Sequence, residues 1–203
     1  MQIQNPLRKA VCVLAITLAG TIVQAQTQTQ TQTAQVQLGR TSVAFSEQFG
    51  AALVALGLQA SAISPSQLQT GIGAGTFPIT AGAVELQTAR GEFDHAGGFS
   101  LSKEANQVRL VNFIIDTTTT PVLTSLVVVN GKLVGRITLF DLQLPSGITL
   151  PLTPTADGVV NLQGVGLTLD TAGATALNGA FTVNAFQAGL NVGTANVISF
   201  VGP

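Results

Sequence analysis

From Phe77 onward, apolar side chains recur at every second position, and glycine, proline and asparagine interrupt the pattern at short intervals. A strand turns successive side chains to opposite faces, so this alternation describes strands with one buried side, too short and too often broken for a helical fold. Val84 and Leu86 alternate with Ala83, Glu85 and Gln87, and Phe93 and His95 with Glu92 and Asp94. Phe99 and Leu101 start a further strand, with a turn at Lys103–Asn106, and Val108–Ile115 alternates less cleanly, as a strand covered on both faces does. Val122–Val129 and Lys132–Phe140 flank Asn130-Gly131, the dipeptide favoured in a type I′ hairpin turn. That register sets Val128 opposite Leu133, Leu126 opposite Gly135 and Thr124 opposite Ile137, leaving Val127, Val129 and Val134 on the other side beside Ser125, Lys132 and Arg136. One face is expected to be core and the other partly wet.

Around this stretch, Val43 and Phe45 predict a short opening strand. Ser46 is placed to cap a helix over Glu47–Leu56, with Phe49, Leu53 and Leu56 on one face and Gly57 at its stop. Leu58–Thr76, rich in serine and glycine, reads as loop. Pro145, Pro151 and Pro154 mark a connection to a strand around Val159–Leu169. Asp170 would cap a short helix ending at Leu177, Asn178-Gly179 would turn the chain, and Phe181–Phe186 and Thr194–Val201 would be the last strands. The fold class is therefore mainly β: an antiparallel β-sandwich or barrel-like domain with one or two short helices.

The N-terminal segment carries a different message. Arg8 and Lys9 precede an apolar run, Ala10–Val23, and Val23-Gln24-Ala25 offers small residues at the positions a signal peptidase reads. The run is shorter than the roughly 18 residues of a permanent span, so residues 1–25 read as a cleaved secretory signal and the protein as secreted or periplasmic, with no permanent membrane span. Cys12 lies inside the run, whereas a lipidated cysteine would follow it, and its removal leaves a chain without disulfide or thiolate chemistry. Residues 26–40, opening in a nearly pure Gln-Thr alternation, read as a disordered spacer, and residues 41–203 as one β-rich domain.

Beyond Lys9 the chain holds six basic and nine acidic residues, and only 8% of the whole sequence is charged. No basic stripe exists to neutralise phosphates, which sets nucleic-acid binding aside. The lack of Trp and Tyr argues against the aromatic girdles of an outer-membrane barrel.

Chemistry-bearing residues are few. His95 is the only histidine and so the one side chain expected to titrate near neutrality. With Phe93 beside it on one strand face it is a ligand-binding candidate, as is Arg136, although a strand histidine bonded to backbone is the simpler reading. Asp94 points to the opposite face and cannot orient His95 as in a catalytic triad. Ser100, in Gly98-Phe99-Ser100-Leu101-Ser102, lacks the second glycine of a nucleophile elbow. Glu92 and Asp94 share a face about 7 Å apart at ~3.3 Å per residue, a spacing compatible with paired-carboxylate hydrolysis or with weak metal binding through their oxygens. The absence of aromatic sugar platforms favours a solvated edge. Gly71-Ile72-Gly73-Ala74-Gly75 has no following Lys-Thr or Lys-Ser and reads as a turning loop.

Two longer stretches, Gly91–Phe99 followed by Val108–Asp116, and Leu167–Leu177 with Phe181, share their layout with one group of exported β-domains. The order of strand, glycine turn, strand, long hairpin and Ala-rich helix resembles the HtaA-type domain of bacterial haem-uptake proteins, over roughly Thr41 to Val197. The resemblance implies that fold, export and haem bound through an axial tyrosine with a histidine nearby. This chain has no tyrosine, and His95 precedes the glycine turn, so no haem-binding residue carries over and the residues themselves call for no cofactor. The expected function is that of a non-catalytic domain acting by binding or cell-surface association, with an extracellular or cell-envelope partner. Carriage of haem or another small apolar ligand is the first alternative, and hydrolysis through Glu92 and Asp94 the second.

Overall fold

Alternating apolar residues need a partner surface, and this chain supplies one by closing its sheet upon itself. The computed structural model describes residues 32–69 and 72–202. Residues 1–25, read above as a secretory signal and holding Cys12, and the Gln-Thr tract as far as Thr31 lie outside the described residues. The strands are β1 (Thr33–Phe45), β2 (Gln59–Ile63), β3 (Gln67–Leu68), β4 (Ala74–Glu85), β5 (Arg90–His95), β6 (Gly98–Lys103), β7 (Asn106–Asp116), β8 (Val122–Val129), β9 (Lys132–Gln143), β10 (Val159–Leu169) and β11 (Asn191–Gly202). Two helices, α1 (Glu47–Ala55) and α2 (Thr171–Phe181), interrupt them.

Eight strands form an antiparallel ring in the order β1, β4, β5, β7, β8, β9, β10, β11 and back to β1. The fold is a closed barrel rather than an open sandwich. Closure removes sheet edges, and eight strands leave an interior just wide enough for side chains to fill or for one small ligand. The remaining strands are additions: β6 continues the line of β5 along the other half of β7, β2 pairs with β6, and β3 pairs with β4. Gly97 and Gly98 make the break between β5 and β6. Both have positive φ, and a Cβ on Gly98 would lie 2.0 Å from the Leu110 carbonyl oxygen.

Several expectations change. β1 begins at Thr33, so residues 33–40, read as spacer, are strand; the apolar positions Ala34 and Val36 inside the Gln-Thr tract are buried and anchor it. Leu58–Thr76, read as loop, contains β2, β3 and the start of β4, because Ala60 and Ala62 fit against Leu101 and Phe99 without needing the bulky apolar residues that usually mark a strand. The Asn130-Gly131 hairpin has the expected pair Val128–Leu133, but a bulge then places Val127 opposite Gly135 and Leu126 opposite Arg136. Its buried face carries Leu123, Ser125 and Val127.

Both predicted caps are present. Ser46 Oγ accepts from the Phe49 amide at 3.0 Å, and Asp170 Oδ1 accepts from the Ala172 amide at 2.7 Å. α2, however, runs past Asn178-Gly179 to Phe181 and ends on a left-handed Thr182, and no strand follows at Phe181–Phe186. Asn178 does not turn the chain; its side chain bonds both backbone groups of Phe186, at 2.8 and 3.0 Å, and so ties the following loop to the helix. α1 packs Phe49 against Phe45 at 5.8 Å between ring centroids.

Candidate functional site

β5 alternates Gly91, Phe93 and His95 inward with Glu92 and Asp94 outward. The inward position brings His95, 5% exposed, into the barrel lumen, where it meets Thr41 from β1, 3% exposed. His95 Nε2 lies 2.7 Å from Thr41 Oγ1, and Nδ1 lies 3.3 Å from the Phe113 carbonyl oxygen. A carbonyl only accepts, so Nδ1 carries the ring proton and donates to it, leaving Nε2 to accept from the Thr41 hydroxyl. Both nitrogens of a neutral imidazole are then satisfied.

Phe113 reaches this position through a bulge: Asn112 takes a positive φ of 51°, and the pairing of β7 with β8 slips between Val111 and Ile114. The extra residue turns the Phe113 ring inward. Around the His95–Thr41 pair, Phe77 packs edge-on to Phe113 at 5.3 Å, Phe99 sits 6.0 Å from Phe113, and Phe45 meets Phe99 edge-on at 6.2 Å. Ile115, Leu123, Phe140, Leu142 and Leu167 complete the wall. The space left is about 20 Å³, room for about one water molecule. Burial strips water from the imidazolium and pushes the His95 pKa down from 6.5 to about 4, against the opposing pull of the Phe113 and Phe93 backbone and the Asp94 charge. His95 is therefore neutral at physiological pH.

A hydroxyl bonded to an imidazole nitrogen is the arrangement of a nucleophile and its base. Here both groups are buried beside phenylalanines, and Asp94 faces outward and does not orient the ring. Thr41 escaped the sequence reading, yet the alternation that marks Val43 and Phe45 as inward extends to it. Ser199 of β11 is also fully buried, and its Oγ has no hydrogen-bond partner.

The other candidates lie apart. Phe93 is buried, 1% exposed, but does not line the space beside His95. Arg136 is outside the barrel, where its Nη1 donates to the Asn112 carbonyl at 2.9 Å and to Thr124 Oγ1 at 3.1 Å. Glu92 is exposed and Asp94 half-buried on the outer face, in a shallow depression shared with Glu85 and Arg90. Among the described residues no three His, Cys, Asp or Glu side chains are grouped to hold a metal ion. No helix among them is long and apolar enough to cross a membrane.

No protein-family profile matches the sequence, and no curated protein matches it. Solved structures do. The C-terminal domain of HtaA from Corynebacterium glutamicum superposes with a TM-score of 0.62 at 13% identity, covering 83% of this chain and 99% of that one. The N-terminal domain of HtaA gives 0.59 at 12% identity over 82% and 99%. The heme binding protein HtaB of the same organism gives 0.55 at 10% identity over 84% and 96%. At these identities the likeness is one of fold: this chain has the HtaA-type β-rich fold.

That fold raises the question of haem, and the lumen does not fit it. The lumen holds no tyrosine, its one histidine has both nitrogens engaged, and the free space is far below the roughly 300 Å³ at which small-molecule sites begin.

Proposed function

We propose that this chain is an exported, non-catalytic binding domain that meets its partner with the outside of the barrel. The observation that carries the reading is the lumen, closed by Phe45, Phe77, Phe99 and Phe113 around a neutral His95–Thr41 pair with about 20 Å³ to spare. Export rests on the sequence of residues 1–25, and the reading of site residues on geometry alone: His95 and Phe93 act as structural groups, Arg136 as a surface group, and Glu92 and Asp94 as a solvated edge.

A second reading, a haem carrier, draws its support from the heme-binding protein among the structural neighbours. Titrating the mature protein with hemin separates the two. The surface reading expects no saturable Soret shift; a one-to-one shift removed by His95→Ala or by filling the lumen with Ala195→Leu would overturn it.

A further inference from the structure

The outward face of β7, β8 and β9 is unlike the rest of the surface. Strand pairing sets Leu133, Val128 and Arg109 in one row, and Arg136, Leu126 and Val111 in the next, all on the side away from the lumen. At the hairpin tip Leu133 is 66% exposed and Val134, the extra residue of the bulge, 58% exposed. A Cβ on Gly131 or Gly135 would meet nothing within 4 Å, so there is open space beside the hairpin at both positions.

The β6–β7 turn lies alongside, held by Asn130 Nδ2 donating to Asn106 Oδ1 at 3.1 Å and by the Gln107 amide donating to Asn130 Oδ1 at 2.7 Å. Of the six Lys and Arg residues among the described residues, four lie on these strands and turns: Arg109 and Arg136 on the outward face, and Lys103 and Lys132 at the two turns, in register positions that continue the rows of Leu101 and Val108. The one carboxylate in Lys103–Val111 and Leu126–Arg136 is Glu104. Elsewhere acidic residues outnumber basic ones eight to two, so the charge is segregated to this corner.

We propose that the β8–β9 hairpin is a docking surface for an anionic lipid surface. Leu133 and Val134 enter the boundary between headgroups and acyl chains, while Lys103, Arg109, Lys132 and Arg136 meet the headgroup charge behind them. An exposed aliphatic tip backed by cations offers no concavity for a protein side chain to fill, and it matches a deformable negative interface. Exposed Leu38 (54%) and Phe200 (41%) pair across β1 and β11, but no comparable cluster of cations surrounds them. The proposal rests on the outer-surface reading and names the partner class for it.

The test is co-sedimentation of the mature protein with vesicles of phosphatidylcholine alone and of phosphatidylcholine mixed with phosphatidylglycerol. Binding is expected only to the mixed vesicles and falls at high salt. Each of Lys132→Gln and Arg109→Gln weakens it about fivefold. Leu133→Gln with Val134→Gln also weakens it, while Leu38→Gln leaves it unchanged; thermal melts confirm that every variant is folded. No binding to mixed vesicles overturns the proposal. Binding that poly-glutamate competes away and the Leu133/Val134 replacements leave intact also overturns it, and assigns the face to an acidic protein. Either outcome removes the lipid assignment alone, whereas hemin uptake into the lumen removes the outer-surface reading.

Discussion

Acidifying the protein should destabilise it through its single histidine. In the folded barrel the His95 pKa is pushed down from 6.5 to about 4, chiefly by burial. In the unfolded chain it returns to about 6.5. Between those values the unfolded state binds a proton that the folded state refuses, so stability rises with pH across this window. The contribution is complete above pH 6.5 and is lost as the pH falls toward 4. At ~1.4 kcal/mol per unit, the full loss is about 3 kcal/mol, a large share of the ~5–15 kcal/mol typical of a domain. Urea unfolding followed by circular dichroism at several pH values measures it. Carboxylates titrate in the lower part of the window, so the informative quantity is the difference between the wild type and His95→Gln, which keeps an amide for Thr41 and Phe113 but cannot titrate. The wild type should lose about 3 kcal/mol relative to the variant between pH 7 and pH 4. Parallel curves would refute the burial of His95 in a dry lumen.

Other replacements test neighbouring parts of the account. Thr41→Val removes the hydroxyl that donates to His95 Nε2 and should cost about 1–3 kcal/mol by denaturant titration, because a buried acceptor is left unpaired. Phe99→Ala, in the centre of the ring cluster, should cost about 3–5 kcal/mol and open a cavity that takes up benzene or xenon. Ser199→Ala should be neutral or slightly stabilising in a thermal melt, since its buried hydroxyl has no partner to lose. Gly98→Ala should destabilise by more than ~1 kcal/mol, because the new Cβ collides with the Leu110 carbonyl in a backbone conformation that side chains disfavour.

What could be read from the sequence follows from the range of the forces involved. Local signals held: Ser46 and Asp170 cap their helices, Asn130-Gly131 turns its hairpin, and Phe93 and His95 share the inner face. The HtaA-type layout also emerged from the order of such elements. Non-local pairing was less legible. Nothing in Gln59–Ile63 reveals that β2 will add to β6, and the pairing of β1 with β11, which joins the first strand of the barrel to the last, leaves no mark in either strand. Bulges defeated simple alternation at Val134, so that Leu126 pairs with Arg136 rather than Gly135, and at Asn112–Phe113, which turns Phe113 onto the inner face. At the site, His95 was visible as the one titratable side chain near neutrality, but its partner Thr41 lies 54 residues earlier and is joined to it only through the β1–β4–β5 pairing.

The central claim is a lumen closed around a neutral imidazole. Because the chain has one histidine, long-range nitrogen–proton NMR of the imidazole reads that claim without ambiguity. The account predicts a neutral ring protonated at Nδ1, unchanged from about pH 7 down to pH 5 and unmoved by added hemin. A ring that titrates near its ordinary 6.5, or shifts when hemin is added, would contradict it.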